Sequence, residues 1–120
     1  MTEKKVKKAG YYYGTVIDNK WWRRYYKGGF MARGNGSYWI DDDGLYFLRY
    51  LTKTPIFIPF SKVKEITTGP SHAGRWTPGA TVIKIIWEDD GKTLSSGFRL
   101  ALKTKDTMEI VQMLQEAVTS

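Results

Sequence analysis

The stretch Gly36–Leu51, GSYWIDDDGLYFLRYL, sets the reading of the whole chain. Ser37–Asp41 is strand-like, and Asp42-Asp43-Gly44 is a hairpin turn. Leu45–Leu51 is apolar on both faces, as a central strand is. Two adjacent strands joined by a short turn make antiparallel pairing the local rule. Working back from this hairpin, Phe30–Arg33 is also strand-like, and Gly34 and Gly36 allow a bend or bulge.

Working forward, Thr52–Thr54 turns and Ile56–Phe60 is the next strand. Pro55 and Pro59 place it at a sheet edge, because proline cannot donate to a ladder. Ser61–Thr68 carries Val63 and Ile66 and reads as a turn followed by a strand. Gly69–Gly79, GPSHAGRWTPG, is a long loop for a compact domain. Ala80–Trp87 is a Val/Ile-rich strand, Glu88–Lys92 turns, and Leu94–Leu102 is another strand. The period then changes. From Asp106 to Val118 the apolar residues Met108, Ile110, Val111, Met113, Leu114, Ala117 and Val118 fall within an arc of about 220° on a helical wheel. Asp106 with Glu109 resembles a capping box. The order predicts an α+β roll or barrel of six or seven antiparallel strands with one C-terminal helix plugging its core.

The N-terminal quarter reads differently. Residues 1–10 form a Lys-rich arm expected to be flexible, and Tyr11-Tyr12-Tyr13 could add an edge strand or lie over the core. Residues 17–27, IDNKWWRRYYK, separate by chemistry at 100° per residue. Trp21, Trp22, Tyr25 and Tyr26 share one side, while Lys20, Arg23, Arg24 and Lys27 share the other. A strand gives no such separation, so this pattern predicts a short amphipathic helix. Asp18 or Asn19 would cap it, Gly28-Gly29 would end it, and it would dock on the roll.

The region from Gly36 to Val118 resembles the GRAM and bacterial pleckstrin-homology-like superfamily. The residues that carry the resemblance are Gly36-Ser37-Tyr38-Trp39-Ile40, the acidic turn into Gly44-Leu45-Tyr46-Phe47, Ile58–Val63, the Val82–Trp87 strand, Gly97-Phe98 and the closing helix. The resemblance implies a seven-stranded bent barrel closed by a helix. It also implies a module that binds lipid headgroups, peptides or proteins and is rarely an enzyme. Phosphoinositide-binding pleckstrin-homology domains carry Lys and Arg around their first hairpin turn. The turn best matched here is Asp41-Asp42-Asp43-Gly44, which repels phosphate, so no phosphoinositide site is carried over.

Charge and composition narrow the function classes. The chain has 120 residues and a net charge of +7. Residues 1–33 hold nine basic and two acidic residues, so they carry the whole excess; residues 34–120 hold ten of each sign. With one His and no Cys, there is no thiolate chemistry and little general acid–base chemistry, and no enzyme is expected. P-loop, dinucleotide and EF-hand patterns are absent, and the Asp41–Asp43 and Asp89-Asp90 runs read as hairpin turns, so neither cofactor nor metal is expected. Ser95-Ser96-Gly97 lies within a strand without a nearby base. No apolar run is long enough to span a bilayer and no secretory signal opens the sequence, which suggests a cytoplasmic protein, peripheral to a membrane at most.

The leading candidate site is therefore the segment holding Lys20, Trp21, Trp22, Arg23, Arg24 and Lys27. It suits recruitment to a protein partner or an anionic membrane surface. The same aromatics and cations suit single-stranded nucleic acid, the rival reading. A third candidate is the long loop, where His72, Arg75 and Trp76 could grip a small anion or a carboxylate. Self-association through the edge strand Ile56–Phe60 is left open.

Overall fold

The computed structural model describes residues 7–18, 20, 22–23, 25, 30, 33–72, 75–76 and 81–119, with Ser71, Arg75 and Trp76 described by their backbone alone. Among the described residues, nine strands and one α-helix follow in chain order. They are β1 (Lys8–Ile17), β2 (Gly34–Ile40), β3 (Gly44–Arg49), β4 (Ile56–Pro59), β5 (Val63–Gly69), β6 (Ser71–His72), β7 (Arg75–Trp76), β8 (Val82–Asp89), β9 (Lys92–Arg99) and α1 (Thr104–Thr119). Seven of the strands make one antiparallel sheet in the order β4-β3-β2-β1-β9-β8-β5, and β6 and β7 pair separately. The β8–β9 turn has both central residues in the left-handed region, Asp90 at φ 55° and Gly91 at φ 74°, as a two-residue hairpin with right-handed strand twist requires.

Side-chain alternation makes the sheet a roll. Tyr12, Tyr38, Leu45, Phe47, Ile58, Ile66, Ile83, Ile85, Leu94 and Phe98 come from all the strands of the sheet except β4's outer residues, and they meet in one core. The register confirms the sidedness: Tyr12 opposes Phe98, which opposes Ile83, and Tyr38 opposes Phe47. Helix α1 contributes Val111 and Leu114, with Ile110, Ala117 and Val118 partly buried. Met108 and Met113, which the wheel includes in the apolar arc, stay about half exposed. The buried strip follows the i, i+3, i+4, i+7 rule and is narrower than the arc.

The two edges of the sheet are protected differently. At β4, the Phe60 N–H donates to the Asp43 carbonyl at 2.9 Å, in line with the Leu45↔Ile58 and Phe47↔Ile56 pairs. That parity turns the backbone groups of residues 55, 57 and 59 outward, and both 55 and 59 are prolines. At β5, the ladder shifts between Val63 and Glu65, and Gln115 of α1 donates to the Ile66 carbonyl at 3.2 Å.

Three readings need correction. Lys8, Ala9 and Gly10, assigned from sequence to a flexible arm, pair with Tyr38, Ser37 and Gly36 in the sheet, so β1 starts inside that segment. The first hairpin connection is the chain between β1 and β2, residues 18–33, and the acidic turn Asp41–Asp43 joins β2 to β3. The amphipathic helix over residues 17–27 is not formed among the described residues. Ile17 ends β1, and Asp18 takes a left-handed conformation at φ 56°. Lys20 N–H bonds to Ile17 O at 3.1 Å and Arg23 N–H to Lys20 O at 2.9 Å, which are turns. Ile17 N–H then donates to Arg23 O at 2.7 Å and Tyr25 N–H to Thr15 O at 2.9 Å. The chain thus doubles back along the end of β1. The reason is hydrogen-bond accounting: the β1–β2 ladder stops at Tyr12↔Gly34, and the backbone groups beyond it need another partner.

Candidate functional site

The turn-back leaves three described residues at its tip exposed: Lys20, Trp22 and Arg23. Trp22 is 62% exposed, high for so large an apolar side chain. Arg23 reaches Asp18 at 2.8 Å, an exposed ion pair. Trp21, Arg24, Tyr26 and Lys27 lie outside the described residues. Tyr25, placed by the wheel on the same face as Trp22, is instead buried. Periodicity groups these two rings, whereas the observed backbone sends one into the roll and the other into water.

Beneath this tip the chain is anchored by aromatic packing. Tyr25 lies against Phe30 with ring centroids 5.6 Å apart, and Phe30 lies against Trp87 at 5.3 Å. The Tyr25 hydroxyl donates to Asp89 Oδ2 at 2.7 Å, and Lys62 Nζ donates to the other carboxylate oxygen at 3.1 Å. Burial, then the hydrogen bond to Asp89 and the Asp89 and Asp90 charges, hold the Tyr25 phenol well above its ordinary pKa.

A second anchor is a line of buried polar groups. Trp87 Nε1, Ser96 Oγ, Thr15 Oγ1, Tyr12 Oη and the Phe30 carbonyl are in hydrogen-bond contact in that order, with the Tyr12–Thr15 contact the shortest. An indole N–H only donates and a carbonyl only accepts. The direction is therefore fixed: Trp87 donates to Ser96, Ser96 to Thr15, Thr15 to Tyr12, and Tyr12 to Phe30. Each of the three hydroxyls donates once and accepts once, so the buried line is satisfied throughout. Its end on Phe30 ties the β1–β2 connection to the core. Tyr12, Thr15, Ser96 and Trp87 carried no signal in the sequence, because Thr15 and Ser96 lie 81 positions apart.

The long loop is built into the fold. Ser71 opposes Trp76 and His72 opposes Arg75 in the β6–β7 hairpin. His72 is 3% exposed, and its Nε2–H donates to the Ser95 carbonyl at 2.8 Å. Its ring sits where Gly97 has no side chain: a Cβ there would lie 2.5 Å from His72 Cγ. By register, Val16, Ser95 and Gly97 face outward, away from the core. Val16 and Val82 are nonetheless fully buried on that face. His72 is therefore a packing residue that seats the hairpin on the outside of β9, and it is not placed to grip an anion. The side chains of Arg75 and Trp76 lie outside the description. Ser96 belongs to the hydrogen-bonded line and is inaccessible.

Another outer surface bears on nucleic acid. Trp39, Tyr46 and Phe57 are cross-strand neighbours on β2, β3 and β4. Trp39 and Tyr46 stack at 5.2 Å and 3°, and Tyr46 and Phe57 at 4.5 Å and 27°. Lys7 Nζ lies 5.0 Å from the Trp39 ring centroid. These rings turn their faces to one another, so an incoming base would meet edges rather than a stacking platform. Among the described residues, no group of three or more His, Cys, Asp or Glu is gathered as a metal site, and no helix is long and apolar enough to cross a membrane.

The comparisons agree with this architecture. The model of the bacterial PH domain-like family matches residues 1–116, so the chain belongs to that family. The match does not single out its GRAM-like relatives. No curated protein matches the chain.

Proposed function

We propose that this chain is a non-catalytic binding module that meets an anionic membrane surface through the connection between β1 and β2. The observation that carries the reading is Trp22, exposed at the tip of that connection between the exposed cations Lys20 and Arg23. An indole favours the headgroup level of a bilayer, and each nearby cation contributes about 1 kcal/mol on an anionic leaflet. Arg24 and Lys27 add charge within the same segment. Family resemblance supports the location, since phosphoinositide-binding pleckstrin-homology domains carry cations in their first hairpin connection, and here that connection is residues 18–33. Tyr25, Phe30 and the buried hydrogen-bonded line hold the root of the loop, so its tip is presented from a fixed base.

Sedimentation with vesicles tests this. Vesicles of phosphatidylcholine with about one-third phosphatidylserine should pellet the protein at low salt, and pure phosphatidylcholine should not. Trp22→Ala should weaken binding at any salt concentration, while Arg23→Ala with Arg24→Ala should weaken it mainly at low salt. Absence of pelleting at low salt overturns the reading. A steep salt-dependent shift on a labelled single-stranded oligonucleotide, without vesicle binding, would assign the segment to nucleic acid instead.

A further inference from the structure

The strand register brings a second exposed tip to the end of the roll where Trp22 lies. β1 ends at Ile17 opposite Leu94, near the start of β9, and β3 ends at Arg49 opposite Gly36, near the start of β2. Antiparallel strands alternate in direction. The β1–β2 and β3–β4 connections and the β8–β9 turn therefore leave the sheet on one side, and the β2–β3 turn and the link to α1 leave it on the other. The β3–β4 connection is pinned at its root. The Tyr50 N–H donates to the Asn35 carbonyl at 3.0 Å, and the Thr52 N–H and hydroxyl both donate to the Arg49 carbonyl, at 3.2 and 2.6 Å. This closes a turn with Tyr50 and Leu51 at its centre.

Leu51 suits neither that turn nor water. Its φ is 68° while that of Tyr50 is not positive, the pattern of a type II turn, which favours glycine at the Leu51 position. Its side chain is fully exposed and Tyr50 is 57% exposed, so burial within the chain does not repay the strain. The charge around the tip is one-sided. Arg49 and Lys53 flank it, and neither makes an ion pair among the described residues. The described carboxylates of the neighbouring connection and turn are already matched: Asp18 by Arg23, Glu88 by Lys64, Asp89 by Lys62 and Asp90 by Lys92.

We infer that the β3–β4 tip is a second membrane contact, in which Leu51 enters an anionic bilayer, Tyr50 lies at headgroup level, and Arg49 and Lys53 meet the lipid charges. This rests on the membrane reading of the β1–β2 connection and adds a second point of attachment to it. An exposed leucine flanked by uncompensated cations is matched by a surface that is anionic at its face and apolar beneath. Both tips leave one sheet on the same side, so once Trp22 has entered, entry of Leu51 is an intramolecular step. The two contacts together hold the roll with the link to α1 away from the bilayer.

Site-directed labelling tests the inference, because the chain has no cysteine and each Leu→Cys change gives a single site. An environment-sensitive dye is attached through Leu51→Cys or, as a control on the other side, through Leu102→Cys; Leu102 is 83% exposed beside the depression between β1 and α1. With vesicles of phosphatidylcholine and phosphatidylserine, the dye at position 51 should shift to the blue and become shielded from an aqueous quencher, and the dye at position 102 should not change. Leu51→Gly should weaken vesicle binding about tenfold, the loss of one leucine from the interface. Its melting temperature should stay level or rise, because glycine fits the left-handed turn. If the wild-type chain pellets and Trp22→Ala weakens it, yet the dye at 51 stays in water or Leu51→Gly binds as wild type, this inference alone falls. A lower melting temperature for Leu51→Gly also overturns it, since Leu51 would then pack within the chain. A wild-type chain that does not pellet removes the membrane reading and this inference with it. A doubled chain mass that Leu51→Gly abolishes, without vesicle binding, assigns the tip to a second copy and overturns it likewise.

Discussion

At the end of the roll where β1 stops, Tyr25 and Phe30 seal the core, and three hydroxyls beneath them are satisfied from Trp87 to the Phe30 carbonyl. At the end where β1 starts, α1 lies across the mouth, a groove remains open, and the Tyr38 hydroxyl has no partner among the described residues. Both ends carry exposed apolar side chains, but on different supports. The first presents Trp22 above a fixed, hydrogen-bonded base. The second presents Leu102 beside the depression between β1 and α1. Stability should therefore be sensitive to polar changes at the first end and indifferent to tip changes at the second.

The strongest challenge to this contrast is Thr15→Val, which keeps shape and removes the middle hydroxyl. It strands the Ser96 donor and the Tyr12 acceptor in a dry interior, and urea unfolding should show a loss of about 3 kcal/mol. A loss under 1 kcal/mol would mean that water reaches the line. Gly97→Ala comes next and separates the outer face from both ends. Its Cβ would meet the His72 ring, and overpacking should cost about 2 kcal/mol. If the β6–β7 hairpin shifts freely to admit it, the melting temperature will not move.

Tyr25→Phe is smaller, about 1 kcal/mol, because Asp89 keeps its contact with Lys62. This variant also has a pH signature. The folded Tyr25 holds its proton above pH 10, where an unfolded tyrosine begins to lose it. Stability should accordingly be full below pH 10 and decline as pH rises beyond it, and the variant should lose part of that decline. Part remains, since Tyr38 and Tyr46 are shifted in the same direction. The smallest effects belong to the tips. Leu102→Glu and Arg23→Ala should each change unfolding free energy by less than about 0.5 kcal/mol, the latter because its ion pair with Asp18 is exposed. A large loss from Leu102→Glu would abolish the contrast between the ends.

The sheet and helix were legible where one face of an element meets water and the other meets the core. The strands Ser37–Asp41 and Leu45–Leu51, the prolines around β4 and the change of period before α1 reappear in the structure, with the second strand ending at Arg49 and its faces unequally buried. The segment after Ile17 was misread for a physical reason. A 100° wheel separates aromatics from cations in IDNKWWRRYYK, but helical propensity there competes with unpaired backbone groups at the end of β1, and pairing prevails. Once the chain doubles back, Tyr25 and Trp22 part company. The tip residues Lys20, Trp22 and Arg23 were still identifiable by composition alone. His72 was not legible as a packing residue, because its seat depends on an absent side chain twenty-five positions further along, at Gly97. The groove beside α1 likewise combines residues from Lys8 to Met113, which no local pattern joins.

The edge of β4 has a consequence for the crowded state of the protein. Of the three backbone positions it turns outward, only Phe57 can donate, so an incoming strand finds one hydrogen where templating needs a row. The two pyrrolidine rings thus set a ceiling on fibrillar growth that is independent of folding stability. Replacing Pro55 and Pro59 with threonine would complete the row. The native roll should then melt as before, yet seed ordered aggregates on storage at high concentration. Two side chains that contribute little to the core would in that sense govern the shelf life of the whole molecule.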